Sequence, residues 1–234
     1  MGRVKKRDML AELYIDYDPF VVVHFALEGK EKALLDSLTF ADEANERLRI
    51  LGELMSVYRY ANKYDDLISI LEHQFTDYPL WNAHILFKLG QVCEGKKDFN
   101  RASKYYIKSI GLGVQDAWLN YYQRNNLAFC YNFRMAYKKA EVLCREAIQI
   151  NPKAHNAWKN LGVSLEFQGR HFEAARCYLT AMRLNAIDQR AAMHLKRMLD
   201  RQPLLRNNFD SLKDYLFDKP GDPAKQWEES NENS

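Results

Sequence analysis

A spacing of 34 residues constrains this chain more than any other feature. Asn126 recurs as Asn160, Leu127 as Leu161, Ala140 as Ala174, Ala147 as Ala181 and Asn151 as Asn185. A fixed period of this length marks stacked supersecondary units rather than one closed core. Leu127 and Tyr131, like Leu161 and Leu165, repeat at i and i+4 and put an apolar stripe on one helix face. The recurring alanines fall where two helices must approach closely. A lone helix pair cannot hide its stripe, so neighbouring pairs must stack, and the expected fold class is all-α.

The segment 155–188 reads Trp158, Leu161-Gly162, Leu165, a turn at Gly169, then Ala174, Tyr178 and Ala181. In this pattern it resembles a tetratricopeptide repeat, with Ala186 where a closing Pro is usual. The preceding unit, 121–154, keeps Leu127-Ala128, Tyr131, Ala140, Ala147 and Pro152, but has Arg124 where Trp is frequent and Cys144 where an aromatic is usual. Unit 83–116 carries Leu89-Gly90, Phe99, Ala102 and Tyr106, and a weaker unit, 48–81, carries Leu54, Tyr58, Leu67, Leu71 and Pro79. The resemblance implies a right-handed superhelical array of antiparallel helix pairs.

The period stretches to 38 between Ala102 and Ala140, and the added residues lengthen either a helix or the loop near Gly111–Asn120, where Gly111 and Gly113 favour a loop. Residues 1–47 are expected to form a degenerate helical lead, with a helix start at Asp18-Pro19 and a second helix over about Lys30–Leu38. Residues 189–202 suit a capping helix, 203–217 a short amphipathic helix, and 218–234 a disordered tail.

Several function classes lose ground on composition. A net charge of +3 is too small for nucleic-acid binding without a concentrated basic patch. No run approaches the ~20 apolar residues of a membrane span, and the chain is expected in the cytoplasm. Cys93, Cys130, Cys144 and Cys177 form no C-x-x-C pair and fall on helical packing positions, so buried thiols are expected rather than metal ligands. The six histidines form no i, i+4 pair, and Gly111-Leu112-Gly113 lacks the further glycine of a dinucleotide loop. No enzymatic activity, cofactor or metal is expected.

In tetratricopeptide arrays the first helix of each pair lines a concave surface, and the resemblance supplies a map of partner-binding residues. These are His84, Phe87 and Gln91; then Tyr122, Asn125, Asn126, Phe129, Asn132 and Phe133; then Asn156, Lys159, Asn160, Val163 and Phe167; and Arg190 and His194 from the closing helix. Asn126 and Asn160 either grip an extended peptide backbone, which an amide can do with its donors and its acceptor, or bond within the stack. The Lys and Arg positions of the family's carboxylate clamp are only partly filled, with Phe87, Gln91, Asn156 and Asn160 in its slots. The expected function is a non-catalytic scaffold or adaptor holding a peptide or helix of a partner protein. A secretion chaperone for exported cargo and a helical-repeat RNA-binding protein are the alternatives. Apolar array ends also leave room for a homo-oligomer.

Overall fold

The computed structural model describes residues 19–203 and residue 206. All ten helices are α-helices, with no strand among the described residues. The amphipathic stretch after 206 and the polar tail lie outside them, as do the basic start and Asp18. The chain divides into two compact units at His73 and Gln74.

The first unit holds α1 (Pro19–Phe40), α2 (Ala44–Tyr60) and α3 (Tyr64–Glu72). Here the sequence reading needs correction: Lys30–Leu38 is not a separate helix but the second half of α1. Gly29 sits in its interior with nothing within 4 Å of a would-be Cβ, so it lowers helix propensity without breaking the helix. Ile50, Leu51, Leu54 and Tyr58 of α2 bury themselves with Leu67 and Leu71 of α3 and with Leu34 and Leu38 of α1. The Tyr58 hydroxyl donates to Glu31 Oε1 at 2.6 Å and Lys63 Nζ to Glu31 Oε2 at 3.1 Å, tying α1 to the α2–α3 pair. The weak unit expected over 48–81 straddles the division, because Pro79 begins the next helix rather than closing this one.

The second unit holds α4 (Pro79–Gly95), α5 (Phe99–Gly111), α6 (Ala117–Phe133), α7 (Tyr137–Ile150), α8 (His155–Glu166), α9 (His171–Leu184) and α10 (Arg190–Arg201). The helices pair as α4–α5, α6–α7 and α8–α9, and α10 closes on α9. Ala140, Ala147, Ala174 and Ala181 are buried at the close approaches.

The four residues that stretch the period lie in a helix, not in the loop that the glycines favour. In α6 eleven residues separate the first position, Ala117, from Ala128, whereas in α8 seven separate His155 from Gly162. The difference is one extra turn, about 6 Å of helix. Asp116 secures its start by accepting from the Leu119 N–H at 2.8 Å.

Each first helix ends on the same device. Asn62, Lys97, Met135 and Gly169 all have positive φ, between 58° and 80°. One residue further on, Lys63, Asp98, Ala136 and Arg170 each donate a backbone N–H to the carbonyl five residues back, in every case at 2.9 Å. This is the Schellman pattern, which satisfies carbonyls left open at a helix end. Three of the four left-handed residues are not glycine.

The helix pairs are held by matched volumes. A Cβ on Gly90 would lie 2.4 Å from the Tyr106 ring, and one on Gly162 would lie 2.6 Å from the Tyr178 ring. Each tyrosine lies against bare helix backbone and donates its hydroxyl back to the first helix, Tyr106 to Glu94 at 2.8 Å and Tyr178 to Glu166 at 2.6 Å. The middle pair changes every member of this arrangement. Ala128 replaces the glycine, Cys144 the tyrosine and Asn132 the glutamate.

Candidate functional site

The inner faces of α6, α8 and α10 line a groove of about 940 Å³. Phe129 and Phe133, Lys159 and Val163, and Arg190, His194 and Arg197 recur at intervals of three or four within their helices, so each set lies on one face. Tyr137, at the start of α7, and Met135, in the turn before it, complete one wall.

The upper wall is aromatic. Phe133 stacks on Phe99 with ring centroids 4.4 Å apart and meets Phe129 edge-on at 4.8 Å, while Phe167 stacks on Tyr137 at 5.0 Å. These rings are pre-positioned, yet Phe133 and Phe167 remain 58% and 54% exposed. Met193 of α10, which also lines the groove, is exposed as well.

The floor is polar and largely satisfied. Asn160 Nδ2 donates to Asn125 Oδ1 at 3.0 Å, Asn125 Nδ2 to Asn126 Oδ1 at 3.0 Å, and Asn126 Nδ2 to the Tyr106 hydroxyl at 3.4 Å. Asn132 Nδ2 donates to the Asn160 carbonyl at 2.9 Å, and Asn132 Oδ1 accepts from Ser164 Oγ. Of the two readings of the asparagines, the bonds within the stack are the ones present. Asn160 is buried, and its amide links two repeats instead of reaching for a backbone in the groove.

Lys159 stands apart from that network. It is 6% exposed and lines the groove, and it has no hydrogen-bond or ion-pair partner among the described residues. Burial, helped by the neighbouring charge of Arg190, pushes its ammonium down to about 8 from the usual 10.5. His194 is pushed down to about 4 by burial and by Arg197, so its imidazole is neutral near pH 7. The ring lies parallel to Tyr178 at 5.6 Å, and Arg197 Nη2 is 3.0 Å from its Nδ1. Arg190, by contrast, is held by Asp188 at 2.6 Å and donates to Asn156 Oδ1 at 2.9 Å. Asp188 also meets His155 Nε2 at 2.9 Å, and its carboxyl lies well below the usual range, chiefly through the Arg190 hydrogen bonds.

The groove gathers Phe129, Asn132, Phe133, Lys159, Asn160, Val163, Phe167, Arg190 and His194 from the sequence-based map. It leaves out His84, Phe87, Gln91, Tyr122, Asn125, Asn126 and Asn156. Phe87 is buried, with its ring against Tyr106, Trp118 and Tyr122, and Asn125 is buried in the amide chain. His84 stacks on Trp118 at 6.2 Å and lies 3.5 Å from Asp116, in an aromatic cluster between α4 and α6. Met135, Tyr137, Met193, Lys196 and Asp200 line the groove without having been mapped. Met193 was within reach, since it follows Lys159 by the repeat period of 34. Met135 carries no such signal, because the matching turn position holds Gly169.

The tetratricopeptide repeat model matches residues 83–112. The chain is 32% identical over 103 residues to tetratricopeptide repeat protein 7B of Homo sapiens, which covers 44% of this chain and 12% of that protein. Tetratricopeptide repeat protein 7A of Homo sapiens is 26% identical over 103 residues, 44% of this chain and 11% of that one. The chain thus matches only a small part of these relatives. The crystal structure of MamA aligns with a TM-score of 0.55 at 19% identity, over 75% of this chain and 97% of that chain. The Hsp90 co-chaperone Cns1 from Saccharomyces cerevisiae aligns with a TM-score of 0.52 at 21% identity, over 68% and 46% respectively. Both structural likenesses concern the fold alone.

Proposed function

We propose that the chain, which is similar to tetratricopeptide repeat proteins, is a scaffold for other proteins and holds a short segment of a partner in the groove between α6, α8 and α10. One observation carries this reading: Phe133, Phe167 and Met193 line a single groove and stay exposed, although Phe99 and Tyr137 stack on the two rings. Exposed apolar side chains gathered in one concavity mark an interaction site. Three inner helices at about 8–10 Å separation span roughly 20 Å, which an extended segment crosses in about six residues. The four buried cysteines, none of them in a disulfide, suit a reducing compartment such as the cytoplasm.

The test is selection from a library of displayed random nonapeptides against the full chain. Enriched peptides should lose most of their affinity for Phe133→Ala/Phe167→Ala while the variant keeps its helical circular dichroism. Peptides indifferent to those two rings would remove the groove from consideration. The RNA alternative has its own check, because retention of single-stranded RNA on filters that falls steeply with salt would move the reading to nucleic acid.

A further inference from the structure

We propose that the chain carries a second docking site, a basic groove between α5 and α7 that takes an acidic segment of a partner protein. It is separate from the groove between α6, α8 and α10, and the two readings stand or fall independently.

Charge along the chain is the first sign. Residues 99–140 hold seven Lys and Arg against one acid, Asp116, in a chain whose net charge is only +3. Asp116 is occupied elsewhere, capping α6 and meeting His84.

The fold then gathers these cations. A groove of about 610 Å³ on α5 and α7, the second helices of their pairs, is lined by Lys104, Arg134 and Lys139 and by no acidic side chain. An adjoining hollow of about 650 Å³ shares Lys104 and Ile107 and adds Arg101 and Lys108. Its one acid, Asp98, accepts the Arg101 backbone N–H at 2.9 Å as the cap of α5. No residue lines both this groove and the inner one. The turn before α7 divides them, with Met135 and Tyr137 on the inner groove and Arg134 and Ala136 on this one.

Lys104, Lys108, Arg134 and Lys139 form no ion pair among the described residues. Arg134 and Lys139 instead both reach the Tyr131 ring, 5.7 Å and 5.9 Å from its centroid. The ring attracts each cation but brings two like charges together, a repulsion that a carboxylate lodged beside them offsets.

The shape and chemistry favour protein. Lys104 and Lys108 stand one helical turn apart, about 6 Å, and acids on alternate residues of an extended segment are about 6.6 Å apart. Ile107, 48% exposed, lines both hollows and offers an apolar contact among the cations. Single-stranded nucleic acid binds through base stacking as well as charge, but Tyr105 and Tyr131 already hold Arg101 and Arg134. A bilayer is flat, whereas Ser103 lines the groove and is buried.

Selection from the displayed nonapeptide library tests this site apart from the inner groove. Against the full wild-type chain, one class of enriched peptides should carry two or more Asp or Glu around an apolar residue. That class should persist against Phe133→Ala/Phe167→Ala and vanish against Lys104→Glu/Lys139→Glu. Both lysines are exposed, so the charge-reversed chain should keep its helical circular dichroism. A synthetic copy of an enriched peptide should bind it about tenfold or more weakly, as expected for lost hydrogen bonds to charged groups, and its affinity for wild type should fall as salt rises.

Absence of an acidic class, or its survival against the charge-reversed chain, would overturn the second site and leave the inner groove standing. So would its loss in Phe133→Ala/Phe167→Ala, which would put those peptides in the inner groove. Oligouridine or phosphatidylserine vesicles that bind wild type and not the charge-reversed chain, with no acidic peptide class, would give the groove a different occupant and sink the proposal.

Discussion

Replacing Gly162 by alanine should destabilise the protein when residue 178 is tyrosine and stabilise it when residue 178 is cysteine. The new Cβ would stand 2.6 Å from the Tyr178 ring, about 1 Å inside normal carbon–carbon contact. Tyr178 cannot swing aside, because it is fully buried and its hydroxyl is tied to Glu166. Overpacking of this kind costs about 1–3 kcal/mol, and the better helix propensity of alanine returns up to about 1 kcal/mol. A net loss of about 1–2 kcal/mol is expected. Tyr178→Cys alone should cost about 3–5 kcal/mol, the range for emptying a buried aromatic site. In that background the clash is gone and the propensity gain remains, so adding Gly162→Ala should recover up to about 1 kcal/mol. The double variant reproduces the Ala128 and Cys144 combination that the middle helix pair already uses. Urea unfolding followed by circular dichroism, with equal m-values across the four proteins, measures the cycle. An effect of Gly162→Ala with the same sign and size in both backgrounds would refute the volume-matching argument.

Other perturbations have equally definite outcomes. Lys159→Met should raise stability near neutral pH by up to about 3 kcal/mol, the gap between 10.5 and about 8 taken at 1.36 kcal/mol per pH unit. The unfolded chain binds the extra proton between those values, so the penalty is complete below pH 8 and fades as pH rises toward 10.5; melting curves that stay parallel across this window would contradict the assignment. Asn160→Ala should cost about 1–3 kcal/mol in urea unfolding by breaking the link to Asn125, and an unchanged midpoint would mean that the amide chain contributes nothing. Lys97→Gly should gain about 0.5–1 kcal/mol, because relief of left-handed strain exceeds the entropy glycine adds to the unfolded chain. A thermal shift in the opposite direction would show that the turn is not strained.

The helix pairs were legible because their cause is periodic. Leu161 and Leu165, or Ala140 and Ala174, repeat wherever two helices must approach, and volume at those places is set by backbone distance. What escaped the sequence reading has local or mutual causes. The left-handed turns at Asn62, Lys97 and Met135 carry no glycine to announce them. The extra turn of α6 is set by its cap at Asp116, which outweighs the loop preference of Gly111 and Gly113. For the asparagines the sequence leaves two readings open, a bond within the stack or a grip on a peptide backbone. An amide that bonds a neighbouring amide and one that waits for a peptide look identical in sequence, and only the 3.0 Å contact of Asn160 with Asn125 separates them.

The neighbour of Asn160 carries a charge that the asparagines lack. Asn125, Lys159 and Met193 hold corresponding places in successive inner helices, since Asn125 and Asn126 precede Leu127 as Lys159 and Asn160 precede Leu161. The first of the three satisfies itself within the stack, and the third is an exposed apolar side chain. The fold therefore tolerates a neutral amide or a thioether at this position, and packing gives no reason for an ammonium. Native chains have only about 5–15 kcal/mol of net stability. A residue whose burial as a cation costs on the order of 3 kcal/mol is a heavy load unless something outside the fold offsets it. A ligand that brought a carboxylate beside Lys159 would do so, and would raise the ammonium back toward its ordinary range. Binding near pH 8 must then take up a proton, and calorimetry in buffers of different ionisation enthalpy should detect it. An observed binding heat independent of the buffer would leave Lys159 as an unexplained cost.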